Sequence, residues 1–281
     1  MTDDGQTRKE QITRLYNQVA SGYGRVGPDL FAPFGRWLVA STHLSPGERV
    51  LDVATGRGAV LFAAVEEVGP AGFVVGIDLA ERMIQELAAD LHEMRITNAA
   101  VQQMDAEQLA FPSASFDAVL CSYALPLFPN VERAIAEFQR VLRPGGKIGV
   151  CVPSGRDERW LWYTQLVFAY HHTYQLSMQW VPRILDIVAV THLLQEAGFV
   201  GLSTAIQDYE FVYATEQEWW EAQWRDAGRF PLENMPPEVL QQFKNEVFER
   251  LASMKQPDGF HVRRKAFSVV GSKPFIKKEK S

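Results

Sequence analysis

The residues with the clearest chemical potential are two carboxylates and two closely spaced glycines. In Val50-Leu51-Asp52-Val53-Ala54-Thr55-Gly56-Arg57-Gly58, a short apolar run ends in a turn where Gly56 and Gly58 carry no side chain. Such a turn lets a ligand approach the backbone, and the following helix aims its free amides at it. A glycine turn alone is also compatible with a purely structural bend. Asp52 bears on the choice. A pyrophosphate at this position would face a carboxylate and be repelled, whereas a cationic ligand without phosphate would be attracted. Asp78 closes the next apolar run, Val75-Gly76-Ile77-Asp78, 26 residues after Asp52, close to the roughly 20 expected of an acid that accepts ribose hydroxyls.

These residues need strands to carry them and helices to cover them. Periodicity predicts a helix from Thr7 to Val19 and a second after Pro28, with Leu30, Phe31, Phe34, Trp37 and Leu38 on one face. Strands are expected at Arg49–Ala54, Phe73–Asp78, Ala99–Met104, Phe116–Ser122 and Lys147–Val152, with helices at Ala59–Val68, Glu81–Met94 and Val131–Leu142 between them. Arg143-Pro144-Gly145-Gly146 reads as the stop of the last of these helices. Strands alternating with helices imply a parallel sheet covered on both faces, with its ligand at the carboxyl ends of the strands. Asp105, in Met104-Asp105-Ala106-Glu107, then either accepts a hydrogen bond from an adenine amino group or caps a helix. Ser122 either borders the reacting centre or only finishes its strand.

The second half is less regular. Trp160–Met178 reads as an aromatic helix, Pro182 as the start of a helix ending at Ala197-Gly198, and Leu202–Tyr213 as a strand. Glu216–Met254 is mostly helical with a break at Gly228–Pro237, Lys265–Gly271 is a last strand, and the charged tail Lys277–Ser281 is expected to be disordered. Trp160, Trp162, Tyr163, Phe168, Tyr170, Tyr174 and Trp180 suit either a packed lid or the wall of an apolar substrate site. His171 and His172 fall in this insert; one could face the site as a general base, or both are packing and surface residues. Trp219, Trp220 and Trp224 read as anchors of the later insert, and His192 as structural.

Taken together, the segments resemble the class I S-adenosylmethionine-dependent methyltransferases, in particular the ubiquinone/menaquinone-biosynthesis-like small-molecule branch. Asp52-Val-Ala-Thr-Gly-Arg-Gly is similar to the family's first motif, Ile77-Asp78-Leu79 with Met83 to its ribose motif, and Asp105-Ala106-Glu107 through Phe116-Asp117 to its adenine-side motif. Tyr16-Asn17-x-x-Ala20-x-x-Tyr23 resembles the N-terminal segment that closes over the cofactor. The resemblance covers Tyr16 to Gly155. It implies a Rossmann-like, seven-stranded, mostly parallel α/β sheet with helical and aromatic lid insertions. It also implies S-adenosyl-L-methionine as cofactor, whose sulfonium and amino group suit Asp52. The residues it brings to the cofactor are Tyr16, Tyr23, Asp52, Ala54, Thr55, Gly56, Gly58, Asp78, Leu79, Met83, Asp105, Ala106 and Ser122. Ala54 stands where the first glycine of the motif is usual, Gly24 where an acid is common, and Pro126-Leu127-Phe128 where relatives often carry a histidine.

Composition agrees with a small-molecule enzyme. A net charge of −6 disfavours nucleic acid as partner. The two cysteines, Cys121 and Cys151, lie in strand-like runs and read as buried free thiols. No metal-ligand spacing occurs, no run is long enough to span a bilayer, and Met1–Gln11 lacks a signal-peptide core, so a cytoplasmic monomer or homodimer is expected. The organisation expected is an N-terminal helical lid (1–44), a cofactor-binding core (45–155), an aromatic insert (156–190), the remaining core helix and strands (191–215 and 262–275) and a helical insert (216–261). The acceptor is expected to be a small apolar or aromatic molecule methylated at oxygen, carbon or nitrogen. A nicotinamide-binding oxidoreductase is disfavoured because Leu61 stands where a third glycine is required. A non-methylating protein on the same fold, cyclase-like or regulatory, is the alternative.

Overall fold

Seven of the apolar runs pair into one sheet. They are β1 (Arg49–Val53), β2 (Phe73–Asp78), β3 (Ala99–Gln103), β4 (Phe116–Ser122), β5 (Leu142–Pro153), β6 (Val200–Tyr213) and β7 (Phe260–Ser272). The computed structural model describes residues 3–155, 157–176 and 183–275. Strand order is β3-β2-β1-β4-β5-β7-β6, with β1 to β5 parallel and β7 antiparallel to both its neighbours. The chain runs outward from β1 through β2 to β3, then returns to place β4 on the other side of β1. That reversal opens a crevice at the carboxyl ends of β1 and β4, the place where such sheets bind ligands.

Two helical layers cover the sheet. α2 (Ala32–Thr42), α3 (Leu61–Val68) and α4 (Glu81–Glu93) lie on one face, where Phe34, Leu38, Leu61, Leu87 and Leu120 share a core. α5 (Val131–Val141) and α7 (Ile187–Glu196) cover the other, through Ile135, Phe138, Val190 and Leu194. Full burial of each such side chain contributes about 1.5–3 kcal/mol. The remaining helices stand apart from the sheet. α1 (Asp3–Val19) packs Leu15 and Val19 on Ala80, Met83 and Phe230. α6 (Leu161–Thr173), α8 (Glu216–Gln223), α9 (Arg229–Glu233) and α10 (Pro237–Met254) follow. Of these, α6, α8 and α10 converge on a third core around Trp219, Trp220 and Phe243.

Several boundaries differ from the sequence reading, each for a local reason. The second helix begins at Ala32 because the Asp29 carboxylate accepts the amides of Phe31 and Ala32 and holds the preceding residues in a turn. β5 begins at Leu142, because Gly145 and Gly146 exchange hydrogen bonds with Lys273 and extend the pairing through the glycine turn. A short helix, α9, forms inside the expected break. α7 starts at Ile187, capped by Asp186 onto Ala189. Met178, Trp180, Pro182 and the tail Lys277–Ser281 lie outside the described residues. Among the described residues no helix is long and apolar enough to cross a membrane.

One contact ties this packing to the crevice. Gly35 of α2 lies against the turn after β1, so that a Cβ there would fall 2.1 Å from the Ala59 carbonyl oxygen. Gly35→Ala should therefore push α2 and that turn apart. We expect about 1–3 kcal/mol of destabilisation, the usual range for overpacking, read from urea denaturation.

Candidate active site

At the carboxyl ends of β1 to β4 the structure holds a cavity of about 740 Å³. Every residue that the sequence assigned to the cofactor lines it: Tyr16, Tyr23, Asp52, Ala54, Thr55, Gly56, Gly58, Asp78, Leu79, Met83, Asp105, Ala106 and Ser122. Asp52 is fully buried inside β1, and its carboxylate accepts the Thr55 hydroxyl at 2.6 Å. Burial pushes the Asp52 carboxyl up to about 7; the nearby charge of Asp78 adds to this, and the Thr55 hydroxyl and the Leu61 amide oppose it. Asp78 accepts the amides of Gly56 and Ala80, both at 2.9 Å, which partly offset the upward push of burial. Each carboxylate oxygen has a further lone pair, so Asp78 retains capacity for a diol.

The turn itself is shaped by two backbone conformations. Ala54 is left-handed (φ 55), the conformation for which the family's glycine is suited and which costs an alanine roughly 1–2 kcal/mol. Gly58 (φ +85) is demanded by packing rather than by ligand approach, since a Cβ there would lie 2.7 Å from the Phe62 ring and 2.9 Å from Leu87. Gly56 is the open one, with only the Tyr23 ring near its missing Cβ, at 3.7 Å.

The N-terminal segment closes the cavity and is fixed to the core at two points. Asn17 accepts the Arg82 amide at 2.9 Å, supplying to α4 the cap that Ala80 cannot provide. Lys9 is buried, with its ammonium 2.7 Å from both Asp105 and Glu107. Burial would lower the Lys9 ammonium, but these two carboxylates outweigh it and hold it above its ordinary value. The second Glu107 oxygen accepts the Asn130 amide at 2.8 Å. Asp105 also accepts the Glu107 amide at 2.9 Å within a turn, and no helix follows it, so the helix-cap alternative does not apply.

Several lining residues were not assigned to the site from sequence. Phe31, read there as part of a core-facing helical stripe, stacks on Tyr23 with centroids 4.8 Å apart and meets Tyr123 edge-on at 5.8 Å. Tyr123 is left-handed (φ 61), a conformation that is strained for a bulky residue and concentrates at functional sites. Arg57, in the glycine turn, pairs with Glu86 and Asp90 and donates to the Ala20 carbonyl at 2.8 Å. It thereby joins the turn to α4 and to the N-terminal segment.

The aromatic insert behaves otherwise. Trp160, Trp162, Tyr163 and Tyr170 pack against Trp219, Phe243 and Met254, so the two inserts form one body rather than two lids, and Phe168 and Tyr174 are exposed. None of these residues, nor His171 or His172, lines the 740 Å³ cavity. His171 is buried with Nε2 3.0 Å from the Pro231 carbonyl, and His172 is exposed. The general-base assignment of these histidines therefore finds no support in their placement.

The left-handed alanine gives a direct test of the turn. Ala54→Gly should raise stability by about 0.5–1 kcal/mol, the strain relieved less the backbone freedom gained by the unfolded chain. Chemical denaturation of the ligand-free protein measures it.

Comparison with known proteins follows the same lines. A methyltransferase-domain family profile matches residues 50–146. The chain is 42% identical over 148 residues to the aklanonic acid methyltransferase DauC of Streptomyces sp. (strain C5), covering 53% of this chain and 67% of that one. It is 42% identical over 139 residues to the nocamycin O-methyltransferase of Saccharothrix syringae, a match that spans 50% of each chain. The demethylmenaquinone methyltransferase of Symbiobacterium thermophilum is 29% identical over 226 residues, covering 76% and 85%. Among solved structures, the [4+2]-cyclase SpnF superimposes with a TM-score of 0.58 at 21% identity, covering 97% of this chain and 96% of that one. That likeness shows the fold alone. The strand order, the paired acids of β1 and β2 and the 42% identity to DauC together establish that the chain belongs to the class I S-adenosylmethionine-dependent methyltransferases.

Proposed function

We propose that the protein transfers a methyl group from S-adenosylmethionine to an oxygen atom of a small aromatic acceptor. The observation that carries this reading is that one cavity combines two kinds of lining. It presents Asp52, Asp78 and the open backbone of Gly56 together with the rings of Tyr16, Tyr23, Phe31, Tyr123 and Phe128. The acids suit a cation with a ribose, and the rings suit a flat apolar molecule. The names of the relatives, an O-methyltransferase and methyltransferases of an acid and a quinone precursor, support an oxygen-bearing aromatic acceptor.

The cofactor, when bound, supplies a methyl group on a positively charged sulfur. The chain's own contribution is alignment and exclusion of water. Asp52 offers its carboxylate to the cationic end, and Asp78 offers two oxygens held in place by backbone amides. The stacked Tyr23 and Phe31 rings, with Tyr123 edge-on, shield the reacting centre from solvent.

S-adenosylhomocysteine should raise the melting temperature by several degrees. At a hundredfold excess over the dissociation constant, a ligand that binds only the native state contributes about 2.7 kcal/mol. NADH should not, because its pyrophosphate would meet Asp52. Asp78→Ala should weaken S-adenosylhomocysteine by about 1.5–3 kcal/mol, the range for a hydrogen bond to a charged group, measured by calorimetric titration. A melting shift with NADH and none with S-adenosylhomocysteine would refute the proposal.

A further inference from the structure

Asp105 is held from two sides. One of its oxygens accepts the Glu107 amide of its own turn at 2.9 Å, and the other accepts the Lys9 ammonium of α1 at 2.7 Å. The same ammonium meets one Glu107 oxygen at 2.7 Å, and the second Glu107 oxygen accepts the Asn130 amide at 2.8 Å. All four carboxylate oxygens thus have a donor, and each keeps a further lone pair. The three side chains are not equally reachable. Those of Lys9 and Glu107 are 9% and 3% exposed, whereas that of Asp105 is 30% exposed. The acceptor capacity open to a ligand is therefore that of Asp105.

This capacity faces the place where a nucleoside would lie. Lys9, Leu79, Met104, Asp105 and Ala106 all line the 740 Å³ cavity. The segments after β2 and β3 run side by side, since the Met104 amide donates to the Asp78 carbonyl and the Gln103 side chain donates to the Leu79 carbonyl, both at 2.9 Å. Asp78 pairs in register with Gln103, so Asp105 comes two residues further along the neighbouring chain. With strands about 4.8 Å apart and about 3.3 Å of rise per residue, one nucleoside can meet Asp78 through its sugar and Asp105 through its base.

Attachment of α1 does not by itself explain a buried ammonium. Leu15 and Val19 already pack α1 on Ala80 and Met83, and Asn17 accepts the Arg82 amide. Apolar residues of similar size hold a helix as well as a buried ion pair does, because they carry no desolvation penalty. What an ammonium adds is direction. It fixes the second oxygen of Asp105 and offsets the charge of Glu107 beside it. Without it, Asp105 keeps only the bond within its turn and faces a like charge at close range.

We propose that Lys9 is a positioning residue for the cofactor's base: its ammonium orients Asp105 so that the carboxylate accepts the 6-amino group of the purine. α1 then selects the base as well as covering it. The inference rests on the methyltransferase reading of the cavity and adds to it the source of nucleobase selectivity.

The test is calorimetric titration with S-adenosylhomocysteine and with its 6-deamino analogue, in which hydrogen replaces the amino group of the purine ring. The ratio of the two affinities cancels the contacts of the amino-acid and ribose portions, and with them the titration of Asp52. The unaltered protein should favour S-adenosylhomocysteine about tenfold or more, the lower end for a hydrogen bond to a charged group. Asp105→Ala should erase the preference, and Lys9→Met should cut it about threefold or more. If Lys9 only fastened α1, both ligands would weaken by the same factor and the ratio would not move. Lys9→Met strands the buried Glu107 charge, so the double variant Lys9→Met/Glu107→Gln is measured beside it. Asp105 lacks its second tether there too, and the same loss of preference is expected. Failure of the unaltered protein to bind S-adenosylhomocysteine would refute the cofactor reading, and this inference with it. Binding without a preference for the amino group, or a preference that survives Asp105→Ala or both Lys9 variants, would overturn the positioning role alone.

Discussion

Asp52 and Asp78 lie at the ends of adjacent parallel strands, one fully buried and the other half-buried, and the rest of the site is arranged around the cost of keeping them there. An ionised carboxylate taken out of water is strongly destabilised unless hydrogen bonds or an opposite charge offset the loss. The protein supplies hydrogen bonds only: the Thr55 hydroxyl to one acid and the Gly56 and Ala80 amides to the other. Among the described residues no ion pair reaches either acid. Lys9 is directed to Asp105 and Glu107, and Arg57 to Glu86 and Asp90. The positive charge that would complete the pair must come with the ligand, which is why a sulfonium-bearing cofactor fits and a pyrophosphate does not.

The same cations that avoid the central acids fasten the cover over them. Lys9 holds α1 to the loop after β3, and Arg57 links the glycine turn to α4 and to the Ala20 carbonyl. The segment from Tyr16 to Phe31 is thereby attached on its N-terminal side, and beyond Ala20 it carries the left-handed residues Gly24 and Gly27. The cover over the glycine turn and the aromatic wall share one residue, because Tyr23 both faces Gly56 and stacks on Phe31.

What the sequence made legible follows physical locality. Asp52, Gly56 and Asp78 were readable because a strand, a turn and a second strand fix their positions within a few residues of chain. Lys9 and Phe31 were not, because their places depend on α1 and on the Asp29 turn reaching the site from elsewhere in the chain. Gly58 was assigned to the right place for a different reason, since the Phe62 and Leu87 contacts that forbid a side chain are tertiary. The aromatic run from Trp160 to Tyr174 was ambiguous in sequence because a lid interior and a domain core need the same residues; Trp219 and Phe243, distant in the chain, complete it as a core. The register of β5 through the glycine turn was likewise hidden, since it depends on pairing with Lys273.

The central claim is that a buried acid awaits a cationic ligand, and its most direct measurement is the pH dependence of S-adenosylhomocysteine and S-adenosylmethionine affinity. With Asp52 raised to about 7 by burial and the charge of Asp78, the free protein holds it protonated below that pH, and a cation binds only after the proton leaves. Raising the pH from about 6 to about 7.5 should therefore tighten S-adenosylmethionine roughly tenfold, as expected for release of a single proton. Calorimetry in buffers of different ionisation enthalpy should register that proton. The same raised value makes the ligand-free fold lose stability as pH rises from about 4 through about 7. Asp52→Asn should flatten both dependences, which separates Asp52 from the amino group of the ligand. An affinity that does not change across this range, or a dependence that persists in Asp52→Asn, would contradict the account.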